Sequence, residues 1–328
     1  MTQQNGFQVT VYDKEQHIGG RTWKWTMVVH WGLPTLRDML PAEVFYALKY
    51  AHANPFYAYS DDKPETATIK GGMCTGIGYT LGKKVTDIRV EDSKEEETGR
   101  PGPVTIAFEG GEVATADLMI GADGSSSRVR RWLVGEEAGK SLLSEYMIGS
   151  GIVKYGTAEQ AKKLLEPSEL CAVATGPTAN NVVDPEDKTT YSFQVVRIWH
   201  GTEEGRDGKE AIARMKEVTA SDMFQEPFYS AIHAIPQASD PIFTRQLTYW
   251  PTVSWDNRRG SVTLAGDAVH SMLPNRGRGL NHALADVMQL VKQLVRVKVK
   301  GISVQEALEF MTNKKLSEST QAKRGLAR

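Results

Sequence analysis

Apolar positions recur most regularly between Leu280 and Val295. There Leu280, Ala283, Leu284, Val287, Leu290, Val291, Leu294 and Val295 fall at offsets 0, 3, 4, 7, 10, 11, 14 and 15. That spacing draws one apolar stripe at the helical period and predicts a long amphipathic helix. Lys292, Arg296 and Lys300 lie toward its C-terminal end, where cations suit the helix dipole. Elsewhere the pattern alternates. Phe7 to Asp13 and Trp23 to His30 read as strands, as does Thr189 to Trp199, with its β-branched and aromatic residues. Lys84 to Glu112 reads as strand, charged Gly/Pro-containing tip, strand. Leu33 to Leu40 and the residues after Pro41 predict short helices broken at the proline. Ala158 to Leu165 and Glu210 to Phe224 predict two more. Ser261 to Gly266 is a compact apolar strand leading into the long helix, and the last dozen residues are expected to fray.

Composition narrows the class without naming it. The chain has 328 residues, enough for about two domains. Its 39 basic and 40 acidic residues give no electrostatic case for nucleic acid or a membrane surface. No run approaches the roughly 18 consecutive apolar residues of a transmembrane helix, and the polar N-terminus lacks a signal-peptide core. Two cysteines, Cys74 and Cys171, build neither a disulfide framework nor a metal cluster. The expectation is an intracellular, cytoplasmic protein with no metal site.

Chemistry concentrates in two segments. Ser261 to Leu264 runs through Ala265-Gly266-Asp267 into Ala268-Val269-His270, then Pro274-Asn275-Arg276-Gly277-Arg278-Gly279-Leu280-Asn281-His282. A strand ending in Gly-Asp presents a carboxylate at the strand's carboxyl edge, where ligands settle in open α/β sheets. A carboxylate there can accept hydrogen bonds from polyol hydroxyls. Paired glycines let backbone approach a flat ligand, and the helix N-terminus offers unpaired N–H groups. Strand, carboxylate and loop alone read equally well as a helix cap and turn. The second segment is Gly121-Ala122-Asp123-Gly124-Ser125-Ser126-Ser127-Arg128-Val129-Arg130. By itself an Asp-Gly after a strand is a turn.

Taken together in this order, the two segments resemble the flavin signatures of the aromatic-hydroxylase class of FAD monooxygenases, p-hydroxybenzoate hydroxylase-like and of fungal type. Asp267, Ala268, His270, Pro274, Gly277, Gly279, Asn281, Ala283 and Asp286 all fall on the first pattern. The resemblance implies an α/β fold, with an incomplete Rossmann-like FAD-binding domain and an interleaved α+β substrate domain. Its expected bounds are 1–40, 74–140 and 245–328 for the FAD-binding part, and 41–73 and 141–244 for the substrate part. It implies that Asp267 holds the ribityl chain or pyrophosphate of FAD and that Pro274, Gly277, Gly279, Leu280 and Asn281 border the ring. Asp123 and Gly124 follow as residues supporting FAD and the nicotinamide donor, with Ser127 and Arg130 as weaker candidates. Asp13, closing its strand, is similar to the family's ribose acid, and Arg21 sits in a stretch similar to the one that follows it.

The resemblance also implies a reaction: NAD(P)H and O2 used to hydroxylate or epoxidise a small organic, secondary-metabolite-like substrate. The family opens on Gly-x-Gly-x-x-Gly at a strand-to-helix turn that takes the FAD pyrophosphate; no such motif occurs in these 328 residues. Lys70 to Gly82 likewise stands where the family has a strand and a helix carrying a flavin-contacting Arg. A flavin-fold protein without redox activity, either cyclase- or isomerase-like or an inactive truncated homologue, is therefore a second reading. No residue declares itself a catalytic acid or base. His270 and His282 read as packed or capping histidines, and Trp23, Trp25, Tyr191, Phe193 and Trp199 as core aromatics.

Overall fold

The computed structural model describes residues 6–17, 26–29, 31–48, 67–70, 79–91, 102–155, 157, 159–160, 163, 172–173, 177–183, 191–219, 226–237, 242–274 and 277–313. Arg21, Trp23, Trp25, Cys74, Cys171, the charged hairpin tip, most of Ala158–Leu165 and the last dozen residues lie outside that set. In chain order the first half contains β1 (Val11–Tyr12), β2 (Thr26–Val29), α1 (Leu33–Met39), α2 (Ala42–Ala47), β3 (Ala67–Lys70) and β4 (Tyr79–Thr80). After these come β5 (Val85–Val90), β6 (Val104–Phe108), β7 (Val113–Ala116), β8 (Met119–Gly121) and α3 (Arg128–Val134). The middle holds β9 (Leu142–Tyr155), β10 (Ala172–Val173), β11 (Pro177–Val183), β12 (Tyr191–His200), β13 (Arg206–Asp207), α4 (Gly208–Glu217), α5 (Phe228–His233) and β14 (Phe243–Tyr249). The chain then runs through β15 (Val262–Leu264), α6 (Asp267–His270) and α7 (Gly279–Lys300), and is helical again over 304–313.

The middle stretch forms one antiparallel sheet in the order β10-β11-β12-β9-β14-β13. Along β12 the odd positions Phe193, Val195 and Trp199 are buried, as period-two alternation requires when one face is covered. The cover is α4 and α5, whose Ala211, Ile212, Met215, Phe228, Ala231 and Ile232 join Met147 and Val153 in one core. Every buried residue of that core lies between Met147 and Ile242.

A second core gathers Ile88, Val104, Ile106 and Phe108 from the β5-β6-β7 sheet with Val129 and Leu133 of α3 and Val262, Leu264, Ala268 and Val269. Its organising contact is the parallel pairing of β8 with β15, Val262 opposite Met119 and Leu264 opposite Gly121. All of β9 to β14 is inserted between these two partners. Among the described residues β1 also pairs parallel with β4, Val11 opposite Tyr79.

Sequence patterning located most of these elements. The paired β5 and β6, the helices either side of Pro41, the β12 strand and α7 stand where expected. Some boundaries differ. The strand expected over Phe7 to Asp13 narrows to Val11–Tyr12, because β4 pairs with only those two residues and Phe7 packs instead against the Leu290–Leu308 cluster. The helix expected from Glu210 begins at Gly208 and closes at Glu217, where the N–H of Val218 bonds back to Arg214 and Lys216 carbonyls. Asp267 opens the four-residue helix α6 rather than a plain loop.

Candidate active site

The site is built where β15 ends. The backbone at Gly266 takes φ 61° and ψ −141°, a region essentially reserved for glycine. That conformation turns the chain from β15 into α6, so Asp267 is the first helical residue and stands at the sheet's carboxyl edge. The residue as a whole is exposed, while its carboxylate is partly covered by protein. Burial pushes its pKa up, and the nearby His270 opposes that shift. Among the described residues nothing donates a hydrogen bond to this carboxylate. It faces the start of α7: a methyl group added at Gly279 would lie 3.6 Å from its Oδ1.

Helix α7 is 22 residues long, and Arg278 at its N-cap position makes no side-chain capping hydrogen bond. The helix therefore presents backbone N–H groups and a positive dipole end toward Asp267 and the loop before it. Gly277, at φ 57°, turns that loop onto the helix, and Pro274 and Gly277 are exposed. Leu280 packs with Leu284 against Val29, Leu33 and Phe45. Asn281 is fully buried: its Oδ1 accepts the Gly32 N–H at 2.9 Å and its Nδ2 donates to the Gly277 carbonyl at 3.2 Å. Its side chain thus holds the loop and docks the Trp31–Gly32 turn. Beside it, Trp31 meets His282 edge-on at 5.2 Å, and His282 lies 5.5 Å from His270.

The Asp123 segment is joined to this site by an arginine. Asp123 accepts the N–H groups of Arg128 and Val129 at 2.6 and 3.2 Å and the hydroxyl of Ser127, so its carboxylate caps α3. Gly124 follows at φ 81°. Ser127 is the N-cap of α3 and accepts the Arg130 N–H. Arg130, none of it exposed, donates from Nε to the Gly139 carbonyl at 2.8 Å and from Nη1 to Ala268 at 3.1 Å. Its Nη2 reaches the Ser125 carbonyl and the Ser141 hydroxyl, and its guanidinium lies 4.7 Å over the ring of Trp250. Arg130 therefore ties the loop after β8 to the backbone of α6. The sequence offers Arg130 only as a weaker candidate, since no periodicity reveals a carbonyl partner 138 residues away.

Asp13 sits at the end of β1 as expected. Its Oδ1 accepts the Glu15 N–H at 3.0 Å and its backbone bonds Thr80 and Lys83, so the residue also shapes the turn after the strand. Arg21 lies outside the described residues. His270 is buried, in keeping with a packed histidine, and its Nε2 is 3.5 Å from Oδ1 of Asp286. Phe193 and Trp199 are core residues of the middle sheet. Among the described residues no three metal-ligating side chains gather, and no helix is long and apolar enough to cross a membrane.

These features suit FAD in a specific way. A carboxylate at a strand's carboxyl edge, with no hydrogen-bond donor among the described residues, matches a ribityl hydroxyl donor. An uncapped helix start preceded by a glycine turn matches the electron-rich edge of a flat ring.

Comparison with known proteins agrees. The family model described as an FAD binding domain matches residues 86–322, well over half the chain. An FAD-dependent monooxygenase of Penicillium herquei is 27% identical over 331 residues, spanning 93% of this chain and 80% of its own. Another, from Talaromyces islandicus, is 27% identical over 90% of this chain and 79% of its own. Among solved structures, Klebsiella pneumoniae HpxO complexed with FAD and uric acid superimposes with a TM-score of 0.68. It is 18% identical, covers 98% of this chain and 81% of its own, and shares the fold. With both signature segments in place on a mixed α/β scaffold, this chain belongs to the FAD binding domain family, alongside FAD-dependent monooxygenases.

Proposed function

We propose that the protein uses NAD(P)H and O2 to hydroxylate or epoxidise a small organic molecule of the secondary-metabolite kind. The observation that carries this reading is the Asp267 carboxylate, which accepts no hydrogen bond among the described residues, set against the start of α7, which has no side-chain cap. When bound, FAD supplies the redox chemistry, accepting hydride and activating dioxygen. The chain's own residues supply placement and charge. Asp267 accepts a hydrogen bond from the ribityl chain or lies beside the pyrophosphate. Pro274, Gly277, Gly279 and Leu280 border the ring, and the N–H groups at the start of α7 stabilise negative charge on its edge. Asn281 keeps that border in shape through Gly32 and Gly277. Asp123 and Gly124 hold the adjoining loop through α3, and Asp13 serves the ribose end with Arg21.

We also propose that residues 1–40, 74–140 and 245–328 form the cofactor-binding part, and 41–73 with 141–244 the substrate-binding part. The separate core between Met147 and Ile242 supports that division. Two cysteines and an even charge balance fit work in the cytoplasm. A small planar substrate fits the neighbour solved with uric acid.

Reconstitution tests the proposal. Purified protein mixed with FAD and passed through a desalting column is expected to keep a visible flavin absorbance band. It should then consume NADPH or NADH faster when a phenolic or polyketide substrate is added. Protein that stays colourless after reconstitution would sink the redox reading and favour a flavin-fold protein with a non-redox task.

A further inference from the structure

Asp286 is the one carboxylate of α7, and it is turned into the protein. It is 5% exposed on a helix whose neighbouring inward positions are Leu290, Val291 and Leu294. A carboxylate in such a place is costly unless hydrogen bonds compensate it. Its Oδ2 accepts the backbone N–H of Gly266 at 2.8 Å, and its Oδ1 faces Nε2 of His270 at 3.5 Å. The other side of Gly266 is held as well, since its carbonyl accepts the N–H groups of Val269 and His270, both at 2.9 Å. The glycine that aims Asp267 is therefore gripped at both its polar backbone groups, and α7 supplies the grip at its nitrogen.

We infer that Asp286 is a positioning residue for the cofactor site: it fixes the Gly266 turn so that the Asp267 carboxylate is already oriented before the ligand arrives. Orientation settled in advance is not charged against binding. The inference rests on the reading of Asp267 as a cofactor residue, and it assigns Asp286 no contact with the cofactor itself. Asp286→Asn separates the two properties of the side chain, because its amide oxygen still accepts the Gly266 N–H while the charge is gone. Asp286→Ala removes both.

Two measurements on these variants decide it. The first is the FAD dissociation constant of the apoprotein, followed by flavin fluorescence. The second is amide exchange of a peptide spanning 262–270, measured without FAD. The alanine variant is expected to weaken FAD binding about tenfold or more, each tenfold being roughly 1.4 kcal/mol, and to speed exchange at Gly266. The asparagine variant is expected to stay near wild type in both.

Should the alanine variant fail to fold, Asp286→Glu replaces it, moving the carboxylate by one methylene, with the same expected losses. An alanine variant that melts lower yet keeps wild-type FAD affinity and exchange overturns the inference. So does an asparagine variant as impaired as alanine. Wild-type protein that takes up no FAD sinks the proposed function instead; the exchange arm, run without cofactor, still decides whether Asp286 holds the turn.

Discussion

Arg130 carries its charge with none of its surface exposed. Burial lowers its pKa from the ordinary guanidinium value, Asp123 opposing and Arg131 adding to the shift, yet it remains a cation at neutral pH. Replacing it with leucine strands carbonyls at Gly139 and Ala268 that have no water to turn to. The expected loss is on the order of 3 kcal/mol, read from urea denaturation. Arg130→Lys should recover only a minor part, because one ammonium cannot span the fork's separate acceptors. Asp267 makes the opposite bargain. Its pKa is raised in the fold, so the folded state holds its proton more tightly than the unfolded chain. Stability associated with that proton is full below the unfolded value and is lost as pH rises through the folded one. Asp267→Asn apoprotein is therefore expected to melt slightly higher than wild type at pH 7. The gap should close as pH falls toward the ordinary aspartate range, while FAD affinity is lost throughout. Asp267 and its glycines were legible in the sequence because their order along the chain is their signal. The tasks of Arg130, Asn281 and Asp286 were not, since each acts on backbone groups that the pattern of side chains does not mark.

Helix α7 could be counted before it was seen, because one apolar stripe at the helical period has a single solution. Strand β4 could not: Tyr79–Thr80 is two residues long and becomes a strand only by lying parallel to β1. Short elements defined by their partner leave little periodicity to find. The long β9 illustrates what patterning omits at this scale. Its Gly149 faces α4 so closely that an added methyl would stand 2.6 Å from Cγ of Met215. Sheet and helix meet at a spacing that only a bare backbone allows. Gly149→Val is expected to cost about 1–3 kcal/mol by overpacking. Guanidinium denaturation measures it, and circular dichroism should show the sheet retained.

Two of the cores among the described residues differ in membership, one from Met147 to Ile242 and one spanning both sides of that interval. Met215→Ala in the first should cost roughly 2–5 kcal/mol, and Val262→Ala in the second a comparable amount. Since neither residue joins the other's cluster, the double variant should show the sum of the two to within about 0.5 kcal/mol. A clear departure measured by denaturation would mean that the cores are coupled. Patterning disclosed helices and a strand in the middle, but not that β8 waits for β15, because strand pairing across a large insertion has no local cue. That pairing has a consequence in time. A ribosome delivers β8 long before β15, whereas β9 to β14 emerge together and can pair as they appear. The inserted sheet can thus fold before the parallel pair that carries Asp267 can close. Released chains ending near residue 255 should already protect the middle sheet from protease while holding no flavin, so competence for the cofactor waits until β15 and α7 have been made.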